Sequence, residues 1–172
     1  MLRIIAICIM TASCAGLGFV KSLGMTRRLN QLKTLKRIEM FLHGEISCAR
    51  TPLPDALWSI SEKTEEPFRE FLREVAEDLN RYGGNSFGDV FAENVECHLK
   101  DTKLTKEDRE RFSEMGRNLG SLDKDMQLHN LEAYGRELDM TIEEVTKGLP
   151  VRKKLCQSLG IMGGLFLAIF FL

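Results

Sequence analysis

The strongest constraint on this chain lies at its two ends, each of which carries a charge-free apolar run. From Ile4 to Val20 seventeen residues pass without a charge, between Arg3 and Lys21. Leu155 to Leu172 adds eighteen more, finishing without a polar side chain from Leu165 onward and preceded by Arg152, Lys153 and Lys154. A helix needs about 20 apolar residues, and at least ~17, to cross a ~30 Å hydrocarbon core. The first run meets the minimum and the second is the stronger. They predict transmembrane helices over 1–21 and 155–172, and leave 22–154 for one domain of ordinary size.

The flanking charges predict which side that domain occupies. The chain is nearly neutral, with 24 Lys and Arg against 25 Asp and Glu. Yet Lys21, Arg27, Arg28, Lys33, Lys36 and Arg37 all precede the first acid, Glu39. Basic residues close to a span stay on the cytoplasmic side, so both ends independently place the intervening domain in the cytoplasm. The five cysteines, Cys8, Cys14, Cys48, Cys97 and Cys156, are odd in number and irregularly spaced, as befits reduced thiols. A rival reading starts from Ala12, Ser13, Cys14 and Ala15, small residues suited to signal cleavage. It gives an exported helical binding protein anchored by its C-terminus. The single Arg3 ahead of the run and the heavier charge behind it favour an uncleaved anchor.

Between the spans, apolar residues recur at helical spacing and almost nowhere alternate, so the fold class is all-α: a compact bundle of about six helices. Leu29, Leu32, Leu35, Ile38, Phe41, Leu42 and Ile46 form the stripe of a first helix ending near Ala49. Thr51 is placed to cap a second, with Pro52 and Pro54 in its first turn and Leu53, Leu57 and Ile60 inward. A third follows Pro67, buries Phe68, Phe71, Leu72, Val75, Leu79 and Tyr82, and stops at Gly83 and Gly84. Its outer face is acidic through Glu66, Glu70 and Glu74, with Glu65 and Arg69, or Arg73 and Glu77, spaced for i,i+4 pairs. Ser86 caps a fourth helix with Val90, Phe91, Val95 and Leu99 inward. Thr105 and Asp108 have the spacing of a capping box for a fifth, carrying Phe112, Met115 and Leu119.

The last pattern is longer. Leu128, Leu131, Gly135, Leu138, Ile142, Val145 and Leu149 follow one another by 3, 4, 3, 4, 3 and 4 positions, and the series continues through Cys156 and Leu159. It predicts one long helix that leaves the domain and continues toward the membrane, kinked near Gly148 and Pro150. Gly160 and Gly164 in one span, and Ala12 and Gly16 in the other, are small residues one turn apart. They allow close packing of the spans with each other or with other chains, which leaves homo-oligomer formation open.

Catalytic and metal-binding constellations are not recognisable. His43, His98 and His129 lie at no shared ligand spacing, no paired C-x-x-C occurs, and Cys97 and His98 are adjacent, which points them in different directions on a helix. Gly83 and Gly84 are not followed by the Lys-Ser/Thr of a phosphate loop. No cofactor is expected, and the reading is of a protein that is not an enzyme. The basic stretch Arg27 to Arg37 lacks interleaved aromatics and adjoins a span, so anionic lipid is a better partner than nucleic acid. Arg27, Arg28, Arg152, Lys153 and Lys154 are the candidate membrane-surface residues.

Two stretches carry a family resemblance. L-K-T-L-K-R-I-E-M-F-L-H-G-E-I-S-C-A-R-T-P-L-P-D-A-L, from Leu32 to Leu57, and K-L-C-Q-S-L-G-I-M-G-G-L, from Lys154 to Leu165, resemble the stage III sporulation protein AB family. That family is in turn similar to the cytoplasmic domain of F-type platform proteins of type II secretion and type IV pilus systems. Their G-x-S turn would correspond here to Gly83, Gly84, Asn85, Ser86 and Phe87. Platform proteins carry two such domains and this chain has room for one. The resemblance implies a subunit of the mother cell to forespore channel, in the outer forespore membrane. Its partners would be a cytoplasmic ATPase, the stage III sporulation protein AA, and other membrane subunits. By the same analogy, Arg50, Pro52, Asp55, Glu66, Glu70 and Glu74 are the candidate partner-binding residues.

Overall fold

A computed structural model describes residues 2–48, 52–81, 86–120 and 123–170, with side chains from Val20 onward and, beyond Leu155, for Ser158 and Met162. All regular structure among them is helical: α1 (Leu2–Cys48), α2 (Leu53–Glu62), α3 (Phe68–Arg81), α4 (Phe87–His98), α5 (Lys106–Leu119) and α6 (Lys124–Phe170). Two compact units are present, one of residues 1–29 and 143–172 and the other of 30–142. The apolar N-terminal run and the first predicted helix form a single helix, α1. The long stripe near the C-terminus is likewise one helix, and it passes Pro150 without a break. A proline there removes the bond to the Thr146 carbonyl and crowds that carbonyl with its ring, yet the helix is continuous on both sides.

The 30–142 unit is built from helices that each bury one stripe. Leu32, Leu35, Ile38 and Leu42 of α1, Leu57 and Ile60 of α2, and Leu131 and Leu138 of α6 are all buried. At its centre the aromatic rings of three short helices meet. Phe71 of α3 stands edge-on to Phe91 of α4 with ring centroids 5.1 Å apart, and Phe91 contacts Phe112 of α5 at 5.0 Å. Phe112 in turn faces Tyr134 of α6 at 6.2 Å. All three phenylalanines are inaccessible to solvent, and each such burial contributes about 1.5–3 kcal/mol, with edge-to-face pairs adding ~0.5–1.5. Gly116 makes the α4–α5 approach feasible, since a Cβ there would stand 2.0 Å from the Phe91 ring.

Helix starts follow local chemistry. Ser86 accepts a hydrogen bond from the Asp89 amide at the start of α4. Thr105 and Asp108 form the reciprocal capping box of α5. The start of α2 differs from expectation: its cap position is Pro52, in extended conformation and without a side-chain hydrogen bond. Thr51 lies outside the described residues, as do Tyr82, Gly83, Gly84 and Asn85. Leu79, expected in the buried face of α3, is half-buried.

α1 and α6 run antiparallel within this unit. Lys36 reaches Asp139, His43 reaches Glu132, and Lys124 donates to the Ser47 carbonyl, so rising numbers on one helix meet falling numbers on the other.

Candidate functional site

Two groups of polar side chains stand out in the 30–142 unit. The first lies on α2 and α3. With Ala56, Leu57, Ile60 and Ser61 turned inward, α2 leaves Asp55, Trp58 and Glu62 exposed. Trp58 is 42% accessible, the chain's single tryptophan displayed at the surface. The Arg73 guanidinium of α3 lies 5.3 Å from its ring centroid, a cation–π contact that holds the indole in place. Arg73 Nε has no hydrogen-bond partner among the described residues, so the ring face is its principal anchor.

Acidic side chains frame that pair. Glu66 and Glu70 are exposed and Glu74 is half-buried. Glu66 Oε2 accepts from the Glu70 amide at 3.2 Å, serving the open N-terminal turn of α3. The expected i,i+4 ion pairs form with other partners. Arg69 lies 3.9 Å from Glu66 and donates to the Thr64 carbonyl, and Glu77 pairs with Arg81 at 2.8 Å. Arg73 is diverted to Trp58 because the stack offers its flat guanidinium a contact that an exposed carboxylate, screened by water, does not. Pro52 and Asp55 are exposed at the start of α2, and Arg50 lies outside the described residues. Trp58 was not singled out from the sequence. Its exposed neighbours Asp55 and Glu62, at helical spacing on the outer face, were the signal that could have found it.

The second group joins α1 to α6. Lys36 Nζ donates to the Gly135 carbonyl at 3.0 Å and lies 3.0 Å from Asp139 and 3.3 Å from Glu39. Gly135 leaves room for this cluster: a Cβ there would come within 2.8 Å of Nζ and 2.9 Å of the Glu39 carboxylate, and those flexible side-chain ends would have to shift. Burial tends to lower the Lys36 pKa, but Asp139 and Glu39 outweigh it and hold the ammonium above its usual value. Burial raises the Glu39 pKa, and the nearby Lys36 offsets this only in part. Glu39 Oε2 accepts no well-directed hydrogen bond despite the ion pair. Beside this cluster, Met40, His43, Glu132 and Arg136 complete the lining of an open hollow of about 460 Å³.

In the other unit, Arg27, Arg152 and Lys154 are exposed, and Arg28 and Lys153 are half-buried. The side chains of Ala12, Gly16, Gly160 and Gly164 lie outside the described residues. Among the described residues no helix is long and apolar enough to cross a membrane, and the side chains of the two terminal apolar runs lie largely outside those described. No group of three metal-ligating side chains is found among those residues either.

An all-helical protein, whose first and last helices extend into apolar ends and whose short middle helices present an aromatic and acidic face, is the class these features define. The family model for stage III sporulation protein AB matches residues 3–172, and the chain belongs to that family. A solved structure titled stage III sporulation protein AB (SpoIIIAB) has the same fold, with a TM-score of 0.67 at 19% identity. The match covers 72% of this chain and 97% of that one. No curated protein gives a significant sequence match. The chain is thus an all-α sporulation protein by family.

Proposed function

We propose that this protein is a non-enzymatic platform subunit of the mother cell to forespore channel complex, held in the membrane at both ends and coupled to a separate cytoplasmic ATPase. The observation that carries the reading is the family match, which runs from residue 3 to residue 172 and so includes both apolar ends. The flanking charges support the topology: residues 1–21 and 155–172 span the membrane of the mother cell, and 22–154 stays in its cytoplasm. Anionic lipid meets the basic residues beside each span.

The ATPase, the stage III sporulation protein AA by family resemblance, docks on the α2–α3 face. Trp58 and Arg73 supply an anchor of the kind that dominates binding energy, while Pro52, Asp55, Glu66, Glu70 and Glu74 surround it. Full-length protein in detergent should copurify with the ATPase, and Glu66→Lys, Glu70→Lys and Glu74→Lys together should weaken this in a salt-sensitive manner. Absence of binding at low salt by a folded protein would overturn the coupling. Topology is read separately: Cys97 is exposed, and a membrane-impermeant thiol reagent should label it only after the cells are opened. Intact mass of the extracted protein should show residues 1–13 retained; a chain lacking them would favour the exported, signal-cleaved alternative.

A further inference from the structure

We propose that Trp58 receives an arginine side chain of the docking partner, which lays its guanidinium on the open part of the indole and is held there by Asp55 and Glu62. The proposal rests on the reading of the α2–α3 face as a docking surface, and it names the chemistry of what docks. Asp55, Trp58 and Glu62 stand at positions i, i+3 and i+7 of α2, so they share one helix face, and all three are exposed. At ~1.5 Å of rise per residue the two carboxylates bracket the ring from ~4.5 Å and ~6 Å along the helix axis.

The charge around the ring is one-sided. Asp55, Glu62 and the Glu70 carboxylate form no ion pair among the described residues. Three neighbouring bases are drawn elsewhere: Arg73 lies on the indole at 5.3 Å, Arg69 donates to the Thr64 carbonyl, and Lys63 lies over the Phe41 ring at 5.4 Å. Trp58 keeps 42% of its surface accessible although Arg73 already covers part of the ring. A tryptophan held in this way loses little freedom on binding, which lowers the cost of ordering it. Its open surface is electron-rich and lies between two uncompensated carboxylates, so it attracts a cation and repels an anion. Arginine fits better than lysine, because its flat guanidinium stacks on an aromatic ring while its fork of donors reaches a carboxylate at the edge. The Arg73 charge opposes a second cation, so the indole alone would not suffice. Asp55 and Glu62 supply the excess of negative charge.

The test reads Trp58 itself, since a single tryptophan makes intrinsic fluorescence specific for this site. Full-length protein in an uncharged detergent is titrated with tetra-arginine, tetra-lysine or tetra-glutamate, none of which carries an aromatic ring. Tetra-arginine should change the emission saturably and at lower concentration than tetra-lysine, and tetra-glutamate should leave it unchanged. Asp55→Asn with Glu62→Gln should weaken tetra-arginine about tenfold, the loss expected when charge-assisted contacts are removed. The equal-charge control on α4, Glu93→Gln with Glu96→Gln, should weaken it far less; all four positions are exposed, so both variants should fold. Equal losses in the two pairs, a stronger response to tetra-lysine, or no response to tetra-arginine would overturn the site. Copurification of the ATPase with the same variants separates this proposal from the docking reading, and it should fall with the α2 pair by a similar factor. ATPase binding that the α2 pair leaves unchanged would overturn the proposal and leave the docking face standing. A tetra-arginine response in a protein that binds no ATPase would instead overturn the docking reading and leave the arginine site standing.

Discussion

Lys36 of α1 donates a hydrogen bond to the carbonyl oxygen of Gly135 on α6 at 3.0 Å, across 99 positions of sequence. The contact satisfies the ammonium within a half-buried seam, and the missing side chain at residue 135 leaves the room that the lysine and glutamate ends occupy. Asp139 and Glu39 complete the shell, so one lysine ties the first helix to the last inside the 30–142 unit.

Lys36→Met should destabilise that unit by about 2–3 kcal/mol, because it strands the Glu39 carboxylate and the Gly135 carbonyl while preserving chain volume. Chemical denaturation of the protein in detergent measures this. Lys36 is held above its usual value of 10.5, so its contribution is complete below that pH and disappears as pH rises through the folded value. The variant should lack this alkaline loss.

Glu39 gives the opposite dependence. Its folded pKa is raised above the ordinary 4.5, so between those two values the folded protein keeps a proton that the unfolded chain has released. Stability therefore falls as pH rises through that window and stays lower above it. Glu39→Gln should remove the dependence and equal or exceed wild type at pH 7, with the advantage shrinking toward pH 4. A variant less stable than wild type at every pH would show that the Lys36 pairing outweighs the burial of the carboxylate.

Gly116→Ala should cost about 1–3 kcal/mol, the usual penalty of overpacking. The new methyl would overlap the Phe91 ring, which is itself wedged between Phe71 and Phe112. Melting temperature should drop without loss of helical circular dichroism at low temperature.

Tyr134 is buried, and its hydroxyl has no hydrogen-bond partner among the described residues. Burial, with the Asp108 charge adding to it, raises its pKa well above the usual value, so the group is neutral at all ordinary pH. Tyr134→Phe should be neutral or stabilising, within about 1 kcal/mol, because it removes a polar atom that gains nothing by being buried. A loss above 2 kcal/mol in urea unfolding would contradict this.

Trp58→Ala should leave stability nearly unchanged, within about 1 kcal/mol, since the ring is 42% exposed. ATPase copurification should fall by tenfold or more, about 1.4 kcal/mol or above, if the indole anchors the docking face. Arg73→Ala, which frees the ring to rotate, should weaken binding less.

The sequence alone determined the all-helical fold and most helix limits, because those depend on interactions within about four residues. Ser86 and Thr105 cap as their spacing predicts, and Phe71, Phe91 and Phe112 fall on inward stripes. It also carried the family, through the stretches Leu32 to Leu57 and Lys154 to Leu165. Local competition is where it misled: Pro52 rather than Thr51 occupies the cap position of α2, and Arg81 rather than Arg73 pairs with Glu77. Only the tertiary structure decided that Arg73 lies on Trp58, that Lys36 closes onto Gly135, and that Arg28 and Arg152 line one crevice. Each of these pairs joins different helices. Periodicity says which face of a helix turns inward, but the residue it meets there depends on how the helices are packed and in what register.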